Sequence, residues 1–170
     1  MAAESRRSEG GSDRGAGTRP APVLAPDLLD RLRKRLATSP ALSHLSPTLE
    51  ELGPDSCVIR LPYRADLTNG SGTVHGGVLA TLADTAVAFA LATNFDGKMG
   101  FATADLTIHF LARARTEVRA RARVLKKGRR IHVGEVEILD AGGRAVARAL
   151  ASFVLTTSAF DYAPEGKTDS

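Results

Sequence analysis

Between Val74 and Asn94 the chain reads VHGGVLATLADTAVAFALATN, with almost no polar interruption. Val78, Leu79, Leu82, Ala83, Ala86, Val87, Phe89, Ala90 and Leu91 cover the whole circumference of a helix. A helix apolar all round is normally buried or membrane-spanning. The stretch opens on the pair Gly76-Gly77, and one residue near its middle, Asp84, breaks the pattern. An unpaired carboxylate among apolar groups is expensive, so Asp84 needs a reason to be there.

The flanking pattern is mostly that of strands. Before the apolar stretch, Asp27 is placed to cap a short helix over Leu28–Ala37, with Leu28, Leu29, Leu32 and Leu36 on one face and Arg31, Arg33, Lys34 and Arg35 elsewhere. Ser39-Pro40 stops it. Thr48–Leu52 and Ser56–Tyr63 read as two strands joined at Gly53-Pro54-Asp55, and Arg64–Thr73 as a loop. After the turn region Asn94–Gly100, the segment Ala102–Leu111 sets Leu106, Ile108 and Phe110 against Asp105, Thr107 and His109. Thr116–Lys126 sets Val118, Ala120, Ala122 and Val124 against Arg119, Arg121 and Arg123. Both are half-buried strands. Arg130–Leu139 is a further strand whose apolar phase shifts around Gly134, which predicts a bulge there. Asp140-Ala141-Gly142-Gly143 is a hairpin loop and Arg144–Thr156 the last strand. Four consecutive hairpin-linked strands predict an antiparallel sheet, with the long helix as the object its apolar face covers. That is an α+β class.

Composition narrows the reading. A chain of 170 residues with 43% hydrophobic and 25% charged content is one ordinary domain. Domain limits are expected at residues 21–157, between a polar, glycine-rich tail at 1–20 and a loose tail at 158–170. The apolar run carries Asp84 and is about 18 residues long, short of the roughly 20 uncharged residues of a membrane span. Residues 1–21 hold no apolar segment of the secretory type. The single cysteine, Cys57, forms no internal disulfide and fits a small buried hydrophobe in a reducing, cytoplasmic setting. The net charge of +4 permits anionic partners without naming one. Aromatic residues do not interleave with the arginines of 113–123, so no base-stacking nucleic-acid surface is expected. His44, His75, His109 and His132 show no metal-ligand spacing, and no metal is expected.

Two features carry candidate chemistry. His75-Gly76-Gly77 sits where loop becomes helix. The first N–H groups of a helix lack internal partners and carry partial positive charge, and glycine lets a ligand approach them closely. An N–H there can polarise a carbonyl oxygen; the plainer account is a glycine turn. Asp84 lies eight residues beyond Gly76, about 12 Å along a helix at 1.5 Å per residue. One Asp84 is therefore too far from its own Gly76 to share a reacting atom with it. If both act on one carbonyl they come from two subunits. The plainer account of Asp84 is a hydrogen-bonded structural carboxylate. No serine or cysteine is poised as a nucleophile for His75, whose ring is expected to pack at the helix start. Lys126, Lys127, Arg129 and Arg130 cluster at a turn, where they could meet phosphates or simply be solvated.

The run Asn69-Gly70-Ser71-Gly72-Thr73-Val74-His75-Gly76-Gly77 followed by Leu82-Ala83-Asp84-Thr85-Ala86 resembles the signature of hotdog-fold acyl-CoA thioesterases of the phenylacetate-degradation type. Thr103–Leu111 and Lys126-Lys127-Gly128-Arg129-Arg130 match downstream, and the resemblance covers about Leu42–Thr156. It implies an antiparallel sheet wrapped around a long central helix, and a homodimer with a continuous sheet, often paired into a homotetramer. It implies Asp84 as nucleophile or general base, the Gly76 N–H as the group that polarises the thioester carbonyl, and Asn69 as a positioning group. Thr103 would orient water near Asp84, and His75 and Gly77 would border the substrate. Lys126, Lys127, Arg129 and Arg130 are candidates for the coenzyme A phosphates. No separate cofactor is implied, because coenzyme A is part of the substrate, and neither nucleic acid nor membrane is implied as a partner. The competing reading from another class is a hotdog module that binds acyl-CoA without cleaving it. A hotdog dehydratase is a third reading, but its usual His-Asp pattern is not evident.

Overall fold

A computed structural model describes residues 23–98 and 100–156. The expected tails at 1–20 and 158–170, and both expected domain limits, lie outside the described residues. The order is helix α1 (Leu28–Thr38), a one-turn helix α2 (Pro40–Ser43), strands β1 (Thr48–Gly53) and β2 (Ser56–Leu61), helix α3 (Gly76–Ala92), then β3 (Gly100–Phe110), β4 (Val118–Lys127), β5 (Ile131–Asp140) and β6 (Ala145–Thr156). The α+β class expected from the sequence holds, and the elements form one antiparallel sheet packed on one long helix.

The sheet runs β1-β2-β4-β5-β6-β3. Only β4, β5 and β6 form a meander. β3 pairs with β6 and not with β4, so the expected four-strand meander is corrected. The reason is that β2 already occupies the free edge of β4. The chain after β3 must therefore cross the end of the sheet, which leaves β3 as an edge strand.

Helix α3 is rich in alanine, the best helix former, and contains no proline. Leu79, Leu82, Ala83, Ala86, Val87, Phe89, Ala90 and Leu91 are buried against the sheet. Each fully buried leucine contributes about 1.5–3 kcal/mol. The helix is nevertheless not buried all round. Gly77 and Thr81 are exposed, and Ala80, Asp84, Thr85 and Ala88 are half-buried. These positions recur every three or four residues and so form one flank. A single sheet covers one side of a helix, and this flank is the side it leaves open.

Gly134 sets how closely helix and sheet approach. A Cβ there would lie 2.5 Å from Val87 Cγ1 and 3.0 Å from the Arg123 carbonyl oxygen. The bulge expected around Gly134 is present in the β4–β5 pairing, but on the other strand. β5 alternates without a break, and the extra residue is Leu125 on the facing strand, between Val124 (opposite Gly134) and Lys126 (opposite Val133). The apparent phase shift arose because the inward row of β5 reads His132, Gly134, Val136, Ile138, with a histidine and a glycine in core positions.

Helix α1 buries Leu28, Leu32 and Leu36. Asp27 stands at its N-cap, but its side chain makes no cap bond; it accepts from Arg31 Nε at 2.8 Å. Arg31 also donates to the Asp96 carbonyl at 2.9 Å and to Asp96 Oδ1 at 2.8 Å, which fastens α1 to the turn after α3. On the outer face of the sheet the arginines meet glutamates: Arg119 with Glu50 and Glu117, Arg123 with Glu135, and Arg148 with Glu137. Cys57 is buried, donates to the Ala86 carbonyl at 3.1 Å, and burial pushes its thiol up to about 12. Among the described residues no helix is long and apolar enough to cross a membrane.

Gly134→Ala is expected to cost about 1–3 kcal/mol, the scale of overpacking a close-packed core, read as a lower urea midpoint with an unchanged slope. A second outcome concerns pH. Burial holds the imidazole of His132 below its ordinary value, so the folded state binds fewer protons than the unfolded one as pH falls through about 6.5. Its effect on stability is nil above that pH and destabilising below it. Stability measured at neutral and mildly acidic pH should fall less in His132→Leu than in the wild type.

Candidate active site

The approach to α3 is a pinned loop. The N–H of His75 donates to the Leu67 carbonyl at 2.9 Å and that of Val74 to the Ala114 carbonyl at 2.9 Å. The Asn69 N–H donates to the Thr73 carbonyl at 2.8 Å, and Tyr63 OH donates to the Gly72 carbonyl at 2.9 Å. Asn69 Oδ1 accepts from the N–H of Ser71 at 3.0 Å, from Ser71 Oγ at 2.7 Å and from the N–H of Thr73 at 3.3 Å. The side-chain oxygen of Asn69 is thus committed to the loop, and its Nδ2 is the group left for a ligand.

The start of helix α3 leaves one N–H donor unused. His75 Nδ1 accepts from the Gly77 N–H at 3.0 Å, and the His75 carbonyl accepts from Val78 at 3.0 Å and Leu79 at 3.2 Å. The His75 ring therefore caps the helix, and with Nδ1 accepting, any proton of the neutral ring sits on Nε2. The Gly77 N–H is already used. The Gly76 N–H has no acceptor among the described residues. Gly76 lies close against the Phe110 ring: a Cβ there would lie 3.2 Å from Phe110 Cζ, tight enough that the ring would have to shift by a few tenths of an ångström. Asn69 and Gly76 border one cavity of about 340 Å³ with Val74, Phe110 and Arg113.

Asp84 sits on the open flank of α3, where its Oδ1 accepts from Thr103 Oγ1 at 2.8 Å. Thr103 reaches it because of a bulge. The pairing of β3 with β6 shifts between Thr103 and Asp105, so Ala104 is an extra residue. Leu106, Ile108 and Phe110 face the helix; simple alternation would put Thr103 on the outer side with Asp105 and Thr107. The bulge turns Thr103, opposite Phe153, back to the helix side. Re-aiming a side chain is a recurrent use of bulges near functional sites.

Asp84 and Thr103 thus form one group and Asn69 and Gly76 another. They lie about 12 Å apart along the helix by its rise, at the same edge of the molecule. Of the basic residues at the β4–β5 turn, Lys126, Arg129 and Arg130 are exposed. Lys127 is engaged, donating to Asp55 Oδ1 at 3.0 Å and Oδ2 at 2.8 Å and to Asn94 Oδ1 at 2.9 Å. It ties the turn to the end of α3 and is not a free phosphate ligand. A larger concavity of about 660 Å³ lies on the outer face of the sheet, lined by Thr107, His109, Arg121, Arg123 and Glu137 among others, and none of the expected site residues borders it. Sequence reasoning missed Phe110 as the residue lying on Gly76; alternation identified it as apolar but not as a lining residue.

The family model described as the thioesterase superfamily matches residues 71–147, which include the Gly76 turn, Asp84 and Thr103. A Halobacterium salinarum protein that carries an esterase name is 34% identical over 111 residues, covering 62% of this chain and 74% of that protein. Human acyl-coenzyme A thioesterase 13 is 29% identical over 104 residues, covering 59% of this chain and 74% of that protein. A solved mutant of the phenylacetic acid degradation protein PaaI from Thermus thermophilus superposes with a TM-score of 0.62 at 27% identity, covering 68% of this chain and 98% of that one. With its open-flanked central helix, wrapped sheet and glycine-start helix, the chain belongs to the thioesterase superfamily and is a hotdog-fold thioester hydrolase.

Proposed function

We propose that the protein hydrolyses acyl-CoA thioesters at a site completed by two copies of the chain. The observation that carries this is the split geometry: a free helix-start N–H and a free amide at one end of α3, and a hydroxyl-held carboxylate about 12 Å away on the same uncovered flank. Neither group is sufficient alone. A second copy adding its β3 antiparallel to this one would lay two open flanks against each other. It would also cover Phe110 and Leu111, which are 54% and 56% exposed. Exposed apolar residues beside an unpaired edge strand favour such an interface.

The thioester carbonyl lies at Gly76, whose N–H binds the oxygen, with Asn69 Nδ2 beside it. Asp84 of the second copy either takes a proton from water as the water attacks or attacks the carbonyl itself and forms an anhydride that water then cleaves. Thr103 holds Asp84 Oδ1 and leaves Oδ2 to react. The tetrahedral oxyanion is stabilised most by a donor already in place, since a preorganised N–H costs no reorganisation during the reaction. Collapse expels the coenzyme A thiolate, which is protonated to the thiol, and the acid departs as the second product. Lys126, Arg129 and Arg130 are the basic residues left free to meet the phosphates. The acyl-coenzyme A thioesterase name of the human relative supports coenzyme A as the carrier. A buried free thiol is compatible with a cytoplasmic setting.

Asp84→Asn is expected to lower kcat by roughly 10²–10⁴-fold, the scale of losing an acid–base group, with the circular dichroism spectrum unchanged. Near-normal thiol release by this variant would reject Asp84. The shared site has its own check. Asn69→Ala and Asp84→Asn, each inactive alone, should regain roughly a quarter of wild-type activity when co-refolded in equal amounts, because half the dimers are mixed and each mixed dimer has one intact site. No recovery in mixed dimers would place both residues in one subunit's site.

A further inference from the structure

The segment that follows β3 is fastened beside the start of α3. The N–H groups of Leu111 and Ala112 both donate to the Val146 carbonyl, at 2.9 and 3.2 Å. Arg144 donates to the Arg113 carbonyl at 3.0 Å, and the Ala114 carbonyl accepts from the Val74 N–H at 2.9 Å. Ala114 itself is fully buried. These bonds fix the backbone of Arg113 next to the loop that leads into Gly76. The Arg113 side chain is not spent in the same way. Arg119, Arg123, Arg144 and Arg148 all meet carboxylates. The Arg113 guanidinium meets neither a carboxylate nor a carbonyl among the described residues.

Arg113 borders the same cavity of about 340 Å³ as Gly76 and Asn69, and it is the one charged residue of that lining. Val74, Leu79, Phe110 and Leu111 supply apolar wall. Small-molecule sites span about 300–1,000 Å³ and combine apolar walls with a few placed polar groups, so this cavity has that make-up at the small end of the range. In the acyl-CoA reading the Gly76 N–H and Asn69 Nδ2 serve the carbonyl, which leaves Arg113 without a task. Phe110 and Leu111 are also the residues a second copy would cover, so completing the site closes the cavity. A guanidinium enclosed there without a counter-charge is costly, and its fork of N–H donors matches a carboxylate. The phosphates of coenzyme A are separated from the thioester by the whole pantetheine arm. An anion held in the same small cavity as the carbonyl therefore belongs to the acyl group.

We propose that Arg113 is a specificity-determining residue that pairs with a carboxylate at the far end of a short acyl group. The inference rests on the acyl-CoA reading above and adds a substrate class to it: mono-thioesters of short dicarboxylic acids, in preference to neutral acyl groups of the same length. Arg113 would also offset the repulsion between that carboxylate and Asp84 of the second copy as both approach one carbonyl.

The test uses the full chain and two matched pairs, succinyl-CoA against butyryl-CoA and glutaryl-CoA against pentanoyl-CoA, with enzyme-free hydrolysis subtracted. Thiol release gives kcat/KM for both members in wild type, Arg113→Gln and Arg113→Lys. Each ratio is taken within one preparation, so any unfolded fraction cancels. The wild type should favour the dicarboxylic member of at least one pair by about tenfold or more, the scale of one hydrogen bond to a charged group. That ratio should fall to about one or below in Arg113→Gln, with the neutral members hardly changed. Arg113→Lys keeps the charge but loses the fork, and should retain part of the preference. A wild-type ratio of one or less for both pairs overturns the proposal, as does a preference that survives in Arg113→Gln. Equal loss on both members in both variants assigns Arg113 to the carrier, to Asp84 of the second copy or to structure alone, and also overturns it. These results leave the acyl-CoA reading intact; failure of the wild type to hydrolyse any coenzyme A thioester sinks both.

Discussion

A six-stranded sheet can cover only one side of a helix, and most of what this protein can do follows from that. Helix α3 is too apolar to stand in water, and its covered flank is filled by leucine, valine and phenylalanine side chains packed against β2, β4 and β5. Its other flank carries only small residues, two threonines and Asp84. The threonine hydroxyls there bond back to the helix, Thr81 to the Gly77 carbonyl at 2.9 Å and Thr85 to the Thr81 carbonyl at 2.8 Å. A flank of small residues and one carboxylate suits a close neighbour better than it suits solvent. The same edge of the molecule carries β3, whose outer backbone groups lack a strand partner among the described residues.

The start of α3 uses all but one of its free N–H groups within the chain. A helix begins with four N–H groups that have no internal partner. In this chain the His75 side chain takes that of Gly77, and the His75 carbonyl takes those of Val78 and Leu79. One donor is left, that of Gly76, the glycine that lies against the Phe110 ring. A glycine pair in a sequence suggests that backbone is accessible. The cap residue decides which of the two glycines has an N–H to offer.

The fold was largely legible in the sequence because its periodicities were long and clean. The apolar run gave α3 to within two residues at each end, and β4 was visible in the alternation of alanine or valine with arginine. The candidate site was legible as a set of residue types, and the helix rise of about 1.5 Å per residue divides it into a group at Gly76 and a group at Asp84. What alternation could not show were the bulges. A bulge changes which face every later residue takes, and nothing in Thr103-Ala104-Asp105 marks it, since alanine is equally at home in either phase. Gly134, by contrast, marks a bulge that lies on the facing strand, and is itself a contact point for Val87. Pairing across the sheet was hidden for a similar reason: strand order depends on which edge is free when β4 folds, which is a property of β2 and not of β3.

The bulge at Ala104 and the close contact at Gly134 act on the same distance from opposite sides. Gly134 lets α3 settle against β5, so the helix axis lies nearer the sheet than a Cβ-bearing residue would permit. That brings Asp84 within reach of β3, but only a side chain on the inner face can use the approach. The extra residue at Ala104 puts the Thr103 hydroxyl on that face. Without the glycine the carboxylate would stand farther off; without the bulge the hydroxyl would point to the outer surface. The 2.8 Å bond between Thr103 and Asp84 is therefore a product of two backbone features on different strands, and its geometry is fixed by the packing of the sheet before any substrate arrives.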